Sequence, residues 1–366
     1  MLAQPIAIDV SESVADGVRW LGYSGIQTPS GAVADFYHVE NRVYSETSTL
    51  SSAYLLDALL KLVEMEDEVP DFVTVTAEYL MNQKRDEETQ FFVSSDPIGD
   101  YGPLASLFDC GVVMQALAGL SELSRNYEFV TAAERCGTAF LTRMSRVDGS
   151  FFPVYDLASK EALEITGDWK TEAGVHLLKS ANAARFVHDL TGNGDLRDIA
   201  GFMVRWAVRD HEGFLDVDEP AAKMTERMHG YCCFLDGLLP TASRDLMVMQ
   251  TLQGGFLDVE ERTAALASTY ERCEVTAQML RLRLFCDLMG IVELDQTAAE
   301  QEAESLLSFQ IYSDDPAANG GFSPAKIDGV RVPIVATRAT AYASQALEMW
   351  SDQADCAFSG DWKDLI

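Results

Sequence analysis

The sequence predicts an all-α protein built from six helical hairpins. Three observations carry this expectation. Apolar residues recur at helical spacing along almost all of the 366-residue chain, strand-like alternation is rare, and a short glycine–aromatic phrase returns between helix pairs. The phrase reads Asp148-Gly149-Ser150-Phe151, Glu212-Gly213-Phe214, Gly254-Gly255-Phe256 and Gly320-Gly321-Phe322. It separates one helix of a pair from the start of the next, with a period of roughly 45–65 residues that marks a helical-pair repeat.

Helices are expected at about 9–22, 48–65, 69–84, 103–125, 127–145, 170–191, 194–210, 225–239, 242–253, 268–290, 295–311 and 336–352. Start and stop signals set their limits. Asn193-Gly194-Asp195 separates two helices tightly, Gly290 ends one, Asp295 caps the next, and Pro70 falls in a first turn. The helices starting near 48, 103, 170, 225, 270 and 336 are rich in small or apolar residues, as in residues 104–120 and 336–350, and are expected to be the buried partner of each pair. Six buried helices with six outer ones close naturally into a ring, because an open solenoid would need polar terminal caps and none is evident. The chain is read as one domain over 1–366, with the polar segment 353–366 packed as a tail on the rim.

Composition bounds the function. With 27 Lys+Arg against 58 Asp+Glu the net charge is −31, and hydrophobic residues make up 48%. That is globular composition and excludes a disordered or collagen-like chain. The charge argues against a nucleic-acid partner and against docking on anionic membranes. No run of about 18 apolar residues predicts a membrane span. The first residues lack the basic region and apolar core of a signal peptide. The seven cysteines are odd in number, and several (Cys110, Cys136, Cys286) fall in helical apolar patterns, so free thiols in a reducing, cytoplasmic setting are expected. Lysine is scarce beside arginine, which also fits a salt-adapted source.

Twelve helices with Gly-Gly-aromatic loops before the inner ones resemble the six-hairpin, (α/α)6-barrel superfamily, over about residues 9–352. That superfamily includes many glycoside hydrolases, polysaccharide lyases and sugar epimerases. The resemblance is architectural and implies an (α/α)6 toroid with a cleft at the N-terminal ends of the inner helices.

The sequence gives its own reason to look there. Anions are favoured at helix N-termini and cations are not. Yet inner helices open with basic residues: Trp169-Lys170-Thr171-Glu172, Glu226-Arg227-Met228-His229, Glu271-Arg272-Cys273-Glu274 and Thr337-Arg338-Ala339. One cause would be an anionic ligand such as a uronate, since arginine suits bidentate recognition of carboxylate. The other is that each arginine pairs with a neighbouring glutamate and braces the ring. Arg227, Arg272 and Arg338 are followed four residues on by Tyr231, Thr276 and Tyr342, which puts a hydroxyl on the same helical face. Tyr44, Tyr101 and Tyr270 fall near other inner-helix starts, where aromatic rings with polar tips suit sugar stacking or cap the core.

Acid/base chemistry needs carboxylates or histidines. Glu46, Asp100, Asp168, Glu172, Glu226, Glu271 and Glu274 lie near the cleft end. Asp168 and Glu172 are the favoured pair, four apart across a helix start beside Trp169 and Lys170, although Asp168 also suits a helix N-cap. Of the five histidines, His176 follows Glu172 by four residues and His229 lies between Arg227 and Tyr231, so these two are the best general bases. His38 is a weaker candidate, and His188 and His211 look like outer or linker positions.

The function expected is a carbohydrate-active enzyme working on an acidic, uronate-type glycan, with hydrolysis favoured and lyase or epimerase chemistry as the alternative. A non-catalytic glycan-binding or scaffolding toroid, and a terpene or peptide cyclase-like toroid, are the other readings. Asp216-Val217-Asp218-Glu219 resembles the acidic motif of class II terpene cyclases but has a counterpart in Asp258-Val259-Glu260-Glu261. Cys232-Cys233 with His229 suggests zinc, but adjacent cysteines point about 100° apart on a helix. No metal or cofactor is expected, and no phosphate loop, nucleophile elbow or His-Glu-x-x-His motif is present.

Overall fold

The computed structural model describes residues 9–63, 69–94, 101–166 and 170–366. Among them the chain forms twelve α-helices: α1 Val10–Tyr23, α2 Thr49–Leu62, α3 Asp71–Tyr79, α4 Leu107–Ser124, α5 Tyr127–Arg143, α6 Lys179–Thr191, α7 Gly194–Asp210, α8 Ala221–Ala242, α9 Leu246–Leu266, α10 Cys273–Leu288, α11 Gln296–Leu307 and α12 Thr337–Ala354. The even-numbered helices pack side by side, α2 on α4, α4 on α6, α6 on α8, α8 on α10, α10 on α12 and α12 back on α2. The odd-numbered helices cover them from outside. The fold is an (α/α)6 toroid.

Sequence dictates these layers locally. Ser48 and Ser106 cap α2 and α4 by accepting the backbone N–H of Ser51 and Asp109, which satisfies amides that have no partner within the helix. Gly192 ends α6 in the left-handed region, at φ 75°. Where layers meet, glycine removes the side chain that would hold them apart. An added Cβ on Gly111 of α4 would lie 2.3 Å from Ser180 Oγ of α6, and one on Gly17 of α1 would lie 2.3 Å from Ser344 Oγ of α12. The ring closes between chain regions far apart in sequence. Ser13 of α1 donates to Gln310 Oε1 at 2.5 Å, Gln310 Nε2 donates to the Ser13 carbonyl at 2.8 Å, and Trp20 Nε1 donates to the Ala317 carbonyl at 2.8 Å.

Three expectations are corrected. Short antiparallel strands stand directly before inner helices. Leu104–Ser106 pairs with Val154–Asp156, Tyr270–Arg272 with Ala325–Ile327, and Ile334–Ala336 with Phe36–His38. Three residues are too few for alternation to register in a sequence. The inner helices therefore begin at 107 and 273, later than expected. The stretch read as helix from 170 instead holds a turn, an extended Gly174 (φ −165°, ψ 165°) and a 3-10 turn Val175–Leu178, with α6 starting at Lys179. Gly174 is required there because a Cβ would press within 3 Å of the His176 and Phe214 rings. Finally, Gly254-Gly255-Phe256 is not a loop but lies inside α9, which runs on to Leu266.

Beyond α12 the chain turns back under the ring. Leu365 and Ile366 are buried, and inner-helix side chains grip this strap. Lys61 Nζ donates to the Leu365 carbonyl at 2.6 Å, Lys179 Nζ to Ile366 O at 2.5 Å and Gln345 Nε2 to the Asp364 carbonyl at 2.5 Å, while Gln115 also donates to Leu365. No helix among the described residues is long and apolar enough to cross a membrane. Six of the seven cysteines are buried and free.

The glycine contacts make opposite predictions at two sites. Gly111→Ala should cost about 1–3 kcal/mol by overpacking α4 on α6. Gly22→Ala, where a Cβ meets nothing within 4 Å, should stabilise by about 0.5–1 kcal/mol through helix propensity. Urea unfolding followed by circular dichroism measures both.

Candidate active site at the ring centre

An inner helix has one face toward the ring axis, and here those faces are polar. The inward rows are Tyr54-Asp57-Lys61 on α2, His229-Cys233-Asp236 on α8, Glu274-Gln278-Arg281 on α10 and Arg338-Tyr342-Gln345 on α12. Residues spaced three and four apart share a helical face, so each row forms a column down the ring.

At the top of the column, Glu274 is buried between two guanidiniums: Arg338 Nε donates to it at 3.0 Å, and Arg272 Nε forms an ion pair with it at 3.5 Å. Burial alone would raise the Glu274 carboxyl, but the two arginines outweigh it and hold it below the usual range. Arg272 also faces Glu226 at 3.6 Å. Arg227 pairs with Glu219 at 3.4 Å and stacks on Phe214.

Below this layer sits His229, fully buried. Its Nδ1 lies 2.7 Å from Gln278 Oε1. The amide orientation is fixed by Gln278 Nε2, which donates to the His229 carbonyl and to Cys233 Sγ, both at 3.5 Å. An amide oxygen only accepts, so His229 Nδ1 carries the proton and the ring's lone pair is on Nε2. Burial, then Arg338 and Arg272, hold this imidazole neutral to well below the usual histidine pKa. Its ring meets Tyr342 edge-on at 5.6 Å, and the Tyr342 hydroxyl is 3.3 Å from that of Tyr54.

Lower still is Arg281, fully buried. It donates to Gln345 Oε1 at 2.5 Å and Asp236 Oδ2 at 3.2 Å, with its guanidinium over the Tyr342 ring at 4.5 Å. Gln345 Oε1 also accepts the backbone N–H of Ile366 at 3.1 Å. The column is therefore continuous from the rim to the strap.

The fields of Lys170 and Arg338 both reach Asp109, in the first turn of α4, and Asp109 in turn influences Tyr54. Burial raises the Asp109 carboxyl, against the pull of Lys170, a Ser94 hydrogen bond and Arg338. His176 lies between Phe108 and Phe214, both rings 6.1 Å away. Burial, with Arg227 and Lys170, lowers its pKa to about 3.

The ring centre thus gathers Lys170, Arg272, Arg338, His229 and Tyr342 of the residues expected from sequence. Asp168 and Trp169, with Asp100, lie outside the described residues. Glu172 is in the turn before Gly174, so it does not share a helical face with His176. Tyr231 is corrected as well. It faces outward, 3.0 Å from His211 Nδ1 and stacked on Phe214, because the inward row of α8 runs through 229, two residues out of step with 227 and 231. Thr276 donates back to the Arg272 carbonyl at 3.2 Å. Tyr44 donates to the Ser24 carbonyl at the end of α1 and packs on Tyr37. Tyr101 is exposed on the rim, and Tyr270 is half-buried in its strand beside Arg272. His38 accepts from Asn41, and His188 bonds the Asn193 carbonyl on the outer layer. Asp109, Gln278, Tyr54, Arg281 and Asp236 were not singled out from sequence. Their signal is a polar row at helical spacing inside otherwise apolar helices.

No family profile matches the sequence, and no curated protein does. Solved structures match in fold. The cellobiose 2-epimerase of Spirochaeta thermophila superposes with a TM-score of 0.71 at 10% identity, over 96% of this chain and 100% of that one. A D-mannose isomerase gives 0.68 at 10% identity, over 94% and 98%. An α-mannanase of Bacteroides thetaiotaomicron gives 0.62 at 8% identity, over 95% and 97%.

Two titrations test this geometry. Gln278→Glu places a carboxylate against His229 Nδ1 and should raise the His229 pKa, read by histidine-selective NMR. In the parent protein, His176 and His229 bind protons more readily unfolded than folded. Stability should therefore be complete above the unfolded value near 6.5 and fall by about 1.4 kcal/mol per pH unit per histidine as the pH drops below it. Urea midpoints between pH 7 and 5 measure the slope.

Proposed function

We propose that this chain is a carbohydrate-active enzyme that moves a proton at the carbon next to a sugar's carbonyl, as an epimerase or isomerase does. The observation that carries the reading is His229, a neutral imidazole whose tautomer is set by Gln278 and which feels the positive fields of Arg338, Arg272 and Lys170. A neutral imidazole takes a proton from carbon without first having to lose one of its own, and against burial and the neighbouring cations the Gln278 hydrogen bond supports the imidazolium that forms. The electron pair left behind moves onto the carbonyl oxygen, and nearby guanidinium and ammonium groups stabilise that oxyanion. Asp109, on a different inner helix from His229 and with its carboxyl raised by burial, is the candidate for returning a proton to the opposite face and so inverting the carbon. Return from His229 to the former carbonyl carbon, with the 2-hydroxyl proton passing to that carbon's oxygen so that the carbonyl reforms at carbon 2, would isomerise the sugar. The epimerase and the isomerase among the structural neighbours support the same chemistry.

The charge balance favours an uncharged sugar over a uronate. Arg227, Arg272 and Arg338 face Glu219, Glu226 and Glu274, so the three arginines are each matched by carboxylates. Hydrolysis is the second reading, favoured by one observation. Asp109 is pushed up and Glu274 down, the opposed pair that an acid and a carboxylate partner require. Against it, Glu274 is already committed to two arginines.

A panel of free aldoses, ketoses, uronic acids and neutral disaccharides incubated in D2O separates the readings. Interconversion, or deuterium at the carbon beside the carbonyl, is expected with a neutral sugar, falling by about 10²–10⁴-fold in His229→Ala. Release of new reducing ends without exchange would replace proton transfer with hydrolysis.

A further inference from the structure

Two adjacent glycines inside α9 are costly, at about 1 kcal/mol each relative to alanine. Gly255 has a packing reason. A Cβ there would lie 2.7 Å from Leu235 and 3.0 Å from the Tyr231 hydroxyl, so it lets α9 close on α8. Gly254 has none, since a Cβ added to it meets nothing within 4 Å. The space it leaves is a cavity of about 520 Å3 between α9, the outward face of α8 and the turn that follows α7. That size is within the range of small-molecule sites.

The cavity is built rather than left over. Arg262 of α9 donates to Asp258, to the Leu215 carbonyl and to Asp216 at 2.7–2.9 Å, and so holds the turn in place. His211 is fixed by the Tyr231 hydroxyl and stacks on Phe234 at 5.5 Å. Of the residues lining the space, Glu212, Asp216, Asp258, Gln250 and Thr251 bring acceptor oxygens, Met247 and Leu215 bring apolar surface, and none is a lysine or arginine. An anion would be repelled. A ligand rich in hydroxyl donors with an apolar ring face fits both kinds of lining.

We propose that this seam, on the far side of α8 from His229, binds a neutral pyranose through its hydroxyls. The inference does not depend on the reaction proposed for the ring centre. The test is an NMR titration of the full chain with methyl α-mannoside and methyl α-glucoside, following the Met247 methyl and the His211 ring. Saturable shifts of both with one glycoside are expected, kept in His229→Ala and lost in Gly254→Leu, which puts a side chain into the cavity from a position where a Cβ meets nothing within 4 Å. The melting temperature of Gly254→Leu should be no lower than the parent's, so loss of binding would not reflect unfolding. Shifts that survive Gly254→Leu, shifts that vanish in His229→Ala, no response to either glycoside, or a response only to spermidine would each overturn the assignment.

Discussion

Arg281 carries its charge where it is fully buried, and the middle of the ring is arranged to make that tolerable. A buried charge survives only with good partners. Asp236 supplies the counter-charge, Gln345 an oxygen and Tyr342 the face of its ring. Each of these is itself tied elsewhere. Gln345 grips the strap at Asp364 and Ile366, and Tyr342 meets Tyr54 and His229. Because helices satisfy their own backbone, everything at the axis of such a ring must be settled by side chains. The floor of the ring and the imidazole above it therefore form a single hydrogen-bonded and stacked assembly.

The same economy explains the basic residues at the inner-helix starts. They look wrong for the helix dipole, and a charged ligand was one way to account for them. Carboxylates of adjoining helices account for them better. Glu226 of α8 reaches Arg272 ahead of α10, and Glu274 of α10 reaches Arg338 of α12. These pairs run around the rim and staple one helix to the next. The charge of Arg227, Arg272 and Arg338 thus serves the ring itself.

The toroid was legible because burial on a helix leaves a periodic trace over many turns. The hairpin pairing, the inner and outer layers and the glycine–aromatic breaks at 149, 213 and 321 all follow from that trace. The strands of three residues were not legible, since they contain too little pattern. Gly254-Gly255 misled because glycine marks a turn and a close helix contact equally well, and only the facing Tyr231 and Leu235 decide between them. At the ring centre, His229, Arg272 and Arg338 stand out in the sequence through residue type. Asp109, Gln278 and Arg281 were missed because each looks ordinary until the facing helix is known. The error at Tyr231 is one of phase: Arg227 and Tyr231 do share a face of α8, but nothing in one helix alone says which face looks inward.

The joint between α1 and α12 has a consequence for how the protein is made. Ser13 must wait for Gln310, 297 residues later, before its partner exists. At ordinary synthesis rates of 5–20 residues per second that is about 15–60 s. Throughout that time the inward side of α1, with Trp20 and Leu21, has no α12 to cover it. Non-local closure of this kind is slow and exposes apolar surface on the way. The joint of α1 with α12 thus cannot form until nearly the whole ring has been made.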